Sequence, residues 1–408
     1  MRRTLFTALL TLLTAAASAM PIRPADSSIE TIMAAVREKH APDDFTAYFD
    51  VSARWQDGVL YLSGHSDSLE AVAELRAAVL NAHLPTKDTI ELVPQRNDLR
   101  EKIWAVVNQP SVRALSHPRY AYPLPIPLGT PVQRLLNMKD GTSLVRLPDS
   151  HLALLEEKSL RLATETEIFI WNRQPKVSVT RPNTPLFAGE DLSGAPRMTL
   201  PAGARLRLCR TLENAYHVAL PDHSQGYLSR ESARELFAFQ REEETLRRES
   251  PERFTARMAD SARTLVHDVI PDNEALPGLT FLSSLFARHD LILPADANLL
   301  AQAFPETPVG KHGDRLQAGD LLLFRNDRGI RTLAFVTAPG RFVTSGYPDA
   351  RLGTPTVRPL GRLERSLRPD YGFLNDPCLT STRSNPFYQT PAVKLVPCRQ
   401  RPALDKIR

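Results

Sequence analysis

The stretch from Leu276 to Ser345 constrains the fold of this 408-residue chain most strongly, because its hydrophobic pattern changes from helical to strand-like. Its first part carries apolar residues at the spacing of one helix face, at Phe281, Leu282, Leu285 and Phe286. Its second part carries three apolar runs of strand length, at 318–324, 332–336 and 341–345. Pro339 and Gly340 supply a tight reversal between the last two runs. The stretch therefore predicts a buried helix followed by a short, mainly antiparallel sheet.

This order, with Gly319-Asp320-Leu321 in the first run, resembles the papain-like NlpC-type cell-wall endopeptidases. In that family the helix begins with Asp-Cys-Ser-Gly, so the thiol lies at a helix N-terminus, where the dipole lowers its pKa. The resemblance places this motif on the residues 275–278, which read Ala-Leu-Pro-Gly here. It implies that Leu276 stands at the nucleophile position. It also implies that Thr332 and Thr344 stand where the family has its general-base His and the second His that orients it.

These replacements remove the chemistry that the scaffold would carry. Leucine has no nucleophilic atom, and threonine cannot take up a proton near neutral pH. None of the chain's cysteines, Cys209, Cys378 and Cys398, is near Leu276 in the sequence. The resemblance therefore predicts a pseudoenzyme, with no catalytic residue at the family positions, and the sequence predicts no metal site and no cofactor.

The N-terminus has the pattern of a secretory signal peptide at residues 1–19. Arg2 and Arg3 precede a short apolar run from Leu5 to Leu13, and Ala17-Ser18-Ala19 forms a cleavage motif. The run is too short to span a bilayer, and no other apolar segment approaches the length of a membrane span. We therefore expect an exported protein, periplasmic or extracellular, without a membrane span. The net charge of +5 is spread along the chain and is interpreted as a solvated surface, so no nucleic-acid partner is predicted.

Residues 20–98 predict a small α/β domain with the order α-β-β-α-β. The helical and strand patterns cover 28–39, 45–55, 59–63, 69–82 and 89–93. Gln56-Asp57-Gly58 predicts a hairpin turn, and Ser66 is the expected N-cap of the second helix. The pattern resembles small envelope modules of the BON type, for which structural support or docking is the expected role.

An internal repeat lies between Leu99 and Glu235. Gly129 precedes Asp149 by twenty residues, and Gly203 precedes Asp222 by nineteen, each within a series of short strands and Pro, Gly or Asp turns. The two copies resemble bacterial SH3-type barrels, at 99–165 and 175–236. The second copy is the better match because Gln225-Gly226-Tyr227-Leu228 completes its last turn and strand. The first departs at Asp149-Ser150-His151, where the family's glycine turn is absent.

Other residues have less specific interpretations. The run from Ile168 to Trp171 predicts a short strand at the junction of the barrels, with Trp171 as an anchor or a ligand-stacking residue. Cys209 ends an apolar alternation and is expected in the core. A disulfide between Cys378 and Cys398 and two separate buried thiols are equally compatible with the sequence.

The predicted fold class is therefore α+β multidomain, with a papain-like NlpC-type domain at the C-terminus. The predicted segments are a signal peptide (1–19), the small α/β domain (20–98), two SH3-type barrels (99–165 and 175–236), a degenerate NlpC-type domain (245–375) and a tail (376–408). The same order resembles the multidomain γ-D-glutamyl-diamino acid endopeptidases that trim peptidoglycan fragments.

Three functions remain open at this point. The first is a pseudoenzyme that binds peptidoglycan fragments or regulates a partner protein of the envelope. The second is an active hydrolase with other residues, for which His267 with Asp268 is the candidate base, whereas His289 is interpreted as a core residue. The third is an envelope scaffold without a ligand.

Overall fold

The structure is a computed structural model of the whole chain. It describes residues 26–117, 120, 122–138, 140–265, 278–291, 293, 295, 306–307, 317–326, 329–338, 341–344, 356–359, 372–374, 377–385 and 390–397. The described residues form two compact units. The first comprises 26–42 and 49–91, and the second comprises 43–48 and the residues from 92 onward.

The helices and strands are mixed along the chain, which confirms the predicted α+β class. The helices are α1 (Asp26–His40), α2 (Leu69–Asn81), α3 (Arg96–Leu99), α4 (Glu165–Arg173), α5 (Leu236–Glu249), α6 (Pro251–Leu265) and α7 (Leu279–Arg288). None of the helices described is long and apolar enough to cross a membrane.

The strands are mostly short and antiparallel. Those of the first unit and the first repeat are β1 (Phe49–Gln56), β2 (Val59–Ser66), β3 (Thr86–Leu92), β4 (Trp104–Val107), β5 (Ser111–Val112), β6 (Ile126–Pro127), β7 (Pro131–Asn137), β8 (Thr142–Arg146), β9 (Leu152–Glu156) and β10 (Leu160–Ala163). Those of the second repeat are β11 (Lys176–Val179), β12 (Thr184–Leu186), β13 (Met198–Leu200), β14 (Arg205–Thr211), β15 (Ala215–Ala219), β16 (Gln225–Ser229) and β17 (Ala233–Glu235). The remaining strands are β18 (Glu306–Thr307), β19 (Leu321–Asn326), β20 (Gly329–Ala338), β21 (Arg341–Thr344), β22 (Thr356–Pro359), β23 (Gly372–Leu374), β24 (Pro377–Asn385) and β25 (Thr390–Pro397).

The first unit has the elements α1, β1, β2, α2 and β3, with β2 at the centre of the sheet. Asp57 (φ 50°) and Gly58 (φ 79°) both have left-handed backbones, as a two-residue hairpin turn requires. The predicted N-cap of α2 was wrong by two residues. Ser68 caps the helix by accepting from the Ala71 N–H at 3.0 Å, whereas the Ser66 hydroxyl accepts from the Ser68 N–H at 3.1 Å.

The second unit confirms the internal repeat. The first copy has the strand order β10-β4-β7-β8-β9, and the second has the same order in its counterparts, β17-β11-β14-β15-β16. Each copy adds a two-stranded ribbon, β5-β6 or β12-β13, between its first and second long strands. The outermost strands of each five-stranded order are not paired with each other among the described residues. The SH3-type barrels therefore stay a prediction.

Backbone hydrogen bonds match between the copies. The Gly129 N–H donates to Val107 O at 2.9 Å, and the Gly203 N–H donates to Val179 O at 2.8 Å. Both glycines have positive φ, at 81° and 85°. The shared motif is therefore a turn that only glycine enters without strain, and it returns the chain to the first strand of its own copy.

The aspartate turns match between the two copies as well, so the absence of a glycine in Asp149-Ser150-His151 does not change the turn. The Leu147 N–H donates to His151 O and the Leu220 N–H donates to Ser224 O, both at 2.8 Å. Ser150 and His223, the residues after the two aspartates, have φ of 74° and 70°. The side-chain oxygen of each aspartate accepts from the N–H two residues later, which stabilises the turn without glycine.

Two sequence interpretations in the repeat region were wrong. Residues 168–171 lie in helix α4, not in a strand, because Thr164 and Glu167 form a capping box at its start. Cys209 is exposed, not buried. It lies at a β-bulge, where the pairing of β14 with β15 shifts between Leu208 and Arg210, so the alternation of the strand is broken there.

The C-terminal part of the second unit is a six-stranded sheet, β18-β23-β19-β20-β21-β22, with helices α6 and α7 packed against β20. The apolar face of α7 is buried in a cluster with α6 and the sheet. Its buried residues include Phe254, Met258, Leu279, Phe281, Leu282, Leu285, Phe286, Leu321, Leu333, Phe335 and Val343. This confirms the predicted buried helix, followed by antiparallel strands β19, β20 and β21.

Candidate functional site

The start of helix α7 lies directly against strand β20. Gly278 is the N-cap of α7 and has a left-handed backbone, with φ 92° and ψ −14°. A Cβ at Gly278 would lie 2.1 Å from the carbonyl oxygen of Leu333 and 3.2 Å from its Cβ. Only a glycine permits this approach, so the residue type at 278 fixes how closely the helix end meets the strand.

The Gly319-Asp320 turn aligns β19 with the same part of β20. The Gly319 N–H donates to Val336 O, and the Val336 N–H donates to Asp320 O, both at 2.8 Å. Gly319 has φ 98°, and Asp320 is buried, with its carboxylate accepting from the Gln317 N–H at 2.8 Å. Among the contacts described, the aspartate of this motif therefore supports a turn.

The candidate catalytic positions of both the resemblance and the alternative hydrolase are only partly described. Leu276, His267 and Asp268 lie outside the described residues. Thr332 pairs with Phe324 across β20 and β19, and Thr344 pairs with Thr356 across β21 and β22. The side chains of both threonines lie outside the description, so the replacement of the family residues stays a prediction.

The two cysteines of the tail are also only partly described. Cys378 pairs with Val396 across β24 and β25, and Cys398 lies outside the described residues. The disulfide therefore stays a prediction.

A hydrogen-bonded relay that the sequence did not reveal joins helices α5, α6 and α7. The His289 Nδ1 atom lies 2.8 Å from a carboxylate oxygen of Glu243, and its Nε2 atom lies 3.0 Å from the Ser261 hydroxyl. Glu243 and His289 are buried, and Ser261 is partly exposed. His289 is thus buried, as predicted, but it lies at the end of α7 and is satisfied by polar partners. Its partners are distant in the sequence, so no local pattern points to them.

Charge in this relay favours the ionised carboxylate. Burial raises the pKa of Glu243, but hydrogen bonds from His289 and Arg257 outweigh this effect, and the pKa of Glu243 lies below its usual value. Arg257 donates to Glu243 at 2.7 Å and to Glu242 at 2.8 Å. For Arg257, burial lowers the pKa, and the hydrogen bonds to both glutamates raise it above its usual value. The buried charge of Glu243 is therefore paired.

The order of acid, imidazole and hydroxyl in this relay is that of a serine hydrolase, but the position of the hydroxyl is different. Ser261 lies inside α6, where backbone N–H groups donate to carbonyls of the preceding turn. The helix therefore has no spare backbone donors beside Ser261 to stabilise an oxyanion. The relay fits a structural clamp between three helices better than a nucleophile. No group of three or more possible metal-ligating side chains occurs in the part of the chain that is described.

Comparisons with known proteins give structural similarities only. No family model and no curated protein matches the sequence. An NlpC/P60 family protein from Bacillus cereus is similar over 67% of this chain and 99% of its own, with a TM-score of 0.47 and 15% identity. An NlpC/P60 endopeptidase from Photobacterium damselae is similar over 71% of this chain and 74% of its own, with a TM-score of 0.45 and 12% identity. NlpC2 from Trichomonas vaginalis covers 66% of this chain and 96% of its own, with a TM-score of 0.31 and 10% identity.

Proposed function

We propose that this protein is an exported, catalytically inactive counterpart of the NlpC-type cell-wall endopeptidases that binds peptidoglycan peptides or regulates a partner protein. The observation that carries the proposal is the contact between Gly278 and Leu333. Gly278 follows Leu276 by two residues, and Leu333 follows Thr332 by one. The contact therefore supports equating 276 and 332 with the positions of a nucleophile and its base.

The residue types at those positions support the loss of chemistry. Acyl transfer at an amide needs a nucleophile, a base within hydrogen-bonding reach and donors for the oxyanion. Leu276 and Thr332 supply neither of the first two. We propose that the scaffold, without these groups, binds a peptide or another protein.

The SH3-type barrels belong to the same proposal. The two copies have one strand order and matching turns, and each adds its own two-stranded ribbon. We propose that they are a tandem of barrels that supports the C-terminal domain. Leu124 of the first copy packs into the core cluster of α6 and α7, which supports such a role.

Binding tests this function most simply. The mature protein, residues 20–408, is titrated calorimetrically with muropeptides that carry the peptide stem, and with the same sugars lacking it. We expect saturable binding of the stem-bearing fragments, with every fragment recovered intact by mass spectrometry. Binding of a specific envelope protein instead would favour the regulatory form of the proposal. If neither fragments, sacculi nor an envelope extract is bound, the scaffold interpretation replaces it.

A set of variants tests the assigned positions. The triple variant with Leu276→Cys, Thr332→His and Thr344→His restores the family residues, whereas Leu276→Cys alone supplies a thiol without a base. We expect no cleavage by the single variant, and the triple variant is the smallest change that can restore it. Equal cleavage by both variants would contradict the assignment of Thr332 to the base position.

A serine hydrolase with Ser261 as nucleophile is the second candidate, because the distances to His289 fit a proton relay. Its test is labelling of the unmodified protein by a fluorophosphonate, with Ser261→Ala as the control. Labelling that disappears in Ser261→Ala would favour this activity. The helical position of Ser261 predicts no labelling of either protein.

A further inference from the structure

A small cavity lies in the second unit, where the two repeats meet helices α4 and α5. Its volume is about 40 Å³, and its wall includes Gly129, Trp171, Lys176, Arg205, Phe237 and Gln240. One water molecule needs a cavity volume of about 10–15 Å³, so this cavity has room for roughly three water molecules. That is the scale of a carboxylate group or a small oxyanion.

Lys176 is a buried cation in the cavity wall, with 4% of its surface exposed. Its ammonium donates to the carbonyl oxygen of Trp171. It also donates to the carbonyl oxygen of Gln174, at 3.1 Å. It also lies 5.2 Å from the centre of the Trp171 ring. Among the described residues, no carboxylate forms an ion pair with Lys176. Buried cations in proteins are normally paired, because burial without an opposite charge is costly.

Arg205 adds a second positive charge to the same wall. Its guanidinium donates to one oxygen of Asp290 at 2.6 Å, and Gln240 donates to the other oxygen at 2.5 Å. Asp290 therefore already has a partner on each oxygen and compensates Arg205. Burial, together with the charge of Arg205, lowers the pKa of Lys176 to about 7.

We propose that this cavity binds a small carboxylate or another compact oxyanion, which pairs with Lys176. The ligand supplies the negative charge that the surrounding side chains do not, and its oxygens accept from the buried ammonium. None of the lining residues lies on α7 or β20, so the site does not depend on the proposed loss of catalysis.

The carboxylate has two possible sources, a free small acid or the C-terminus of a peptide. The cavity is partly open to solvent, and Phe237 at its wall is 42% exposed, so a longer chain could continue from the cavity over the surface. Acetate tests the first source, and an N-acetylated tripeptide with a free C-terminus tests the second. The same tripeptide as its C-terminal amide is the control without a carboxylate.

The experiment is a calorimetric and thermal-shift titration of the mature protein with acetate at pH 6, against chloride at the same ionic strength. We expect saturable acetate binding, and a rise of about 2 °C or more in the unfolding midpoint at ten times the dissociation constant. Because acetate keeps its charge from pH 6 to 9 while Lys176, with its pKa of about 7, loses its proton, affinity should fall about 100-fold at pH 9. The comparison of pH 6 with pH 9 uses the protein without any substitution.

The substitution Lys176→Met removes the ammonium and keeps the length of the side chain beside Trp171. We expect it to abolish acetate binding, while Lys158→Met, at a lysine with an exposed side chain, leaves binding unchanged. Binding of the free peptide and not of its amide would assign the site to a chain terminus, and binding of acetate alone would assign it to a small acid. The proposal is wrong if neither carboxylate binds beyond the chloride control, or if binding is equal at pH 6 and pH 9.

Discussion

Gly278 meets Leu333 at a distance that no other residue type permits, since a Cβ at position 278 would lie 2.1 Å from the Leu333 carbonyl oxygen. The contact joins the first turn of α7 to the middle of β20. It determines where the helix N-terminus lies relative to the strand that carries Thr332. The proposed assignment of positions 276 and 332 to a nucleophile and its base depends on this contact.

The substitution Gly278→Ala should therefore be strongly destabilising. It combines a left-handed backbone, which costs about 1–2 kcal/mol for a residue with a Cβ, with a steric clash against the backbone of β20. We expect the free energy of unfolding to fall by at least twice that cost, measured as a lower urea midpoint.

Gly194→Ala is the matched control, because Gly194 has φ 80° and a Cβ at this position would have no atom within 4 Å. It carries the backbone cost without the clash. Equal losses in the two variants would show that the contact with Leu333 contributes nothing.

The two repeats provide a second matched pair, Gly129 and Gly203. Both have nearly the same φ, but a Cβ at Gly129 would lie 1.9 Å from Arg205 O, whereas the nearest atoms at Gly203 are 3.8 Å away. We expect Gly203→Ala to cost about 1–2 kcal/mol and Gly129→Ala to cost clearly more, by urea denaturation. The two costs would be the same if the copies did not pack against each other at Gly129.

The repeat could be predicted because its turns depend on local residue types. Glycines at positive φ and aspartates that accept from the N–H two residues later leave the same signature in both copies. Helix α4 could also have been found, since Thr164 and Glu167 have the spacing of a capping box. The apolar run from Ile168 to Trp171 hid it, because short apolar runs do not separate helix from strand.

The buried pair of Glu243 and His289 predicts a change of stability with pH. The pKa of Glu243 is lowered in the folded protein from its reference value of 4.5, so its contribution is present above that value. It is lost as the pH falls through the lower folded pKa. We expect Glu243→Gln to cost about 3 kcal/mol near pH 7 and to flatten the acid limb of a stability curve measured between pH 7 and 3.

Glu190→Gln, at an exposed carboxylate, is the control and should leave that curve unchanged. If the stability curve of Glu243→Gln has the same acid limb as that of the wild-type protein, other carboxylates dominate the loss of stability at low pH.

Two features could not be predicted from the sequence, the relay of Glu243, His289 and Ser261 and the β-bulge at Cys209. Glu243 is 46 residues from His289, and Ser261 is 28 residues from it, so their contact depends on how three helices pack. Cys209 was expected in the core because the alternation of β14 continues to it, but a register shift exposes it. Both depend on tertiary packing, which the local pattern does not contain.

The most direct test of the proposed loss of catalysis is a turnover assay with an L-Ala-γ-D-Glu-diaminopimelate peptide. The mature protein is incubated with the peptide near neutral pH, and products are followed by mass spectrometry beside a mock purification. A site with Leu276 and Thr332 at the nucleophile and base positions predicts no product above the mock. Cleavage that is absent from the mock, and that persists in a variant with His267→Ala and Asp268→Ala, would contradict this account.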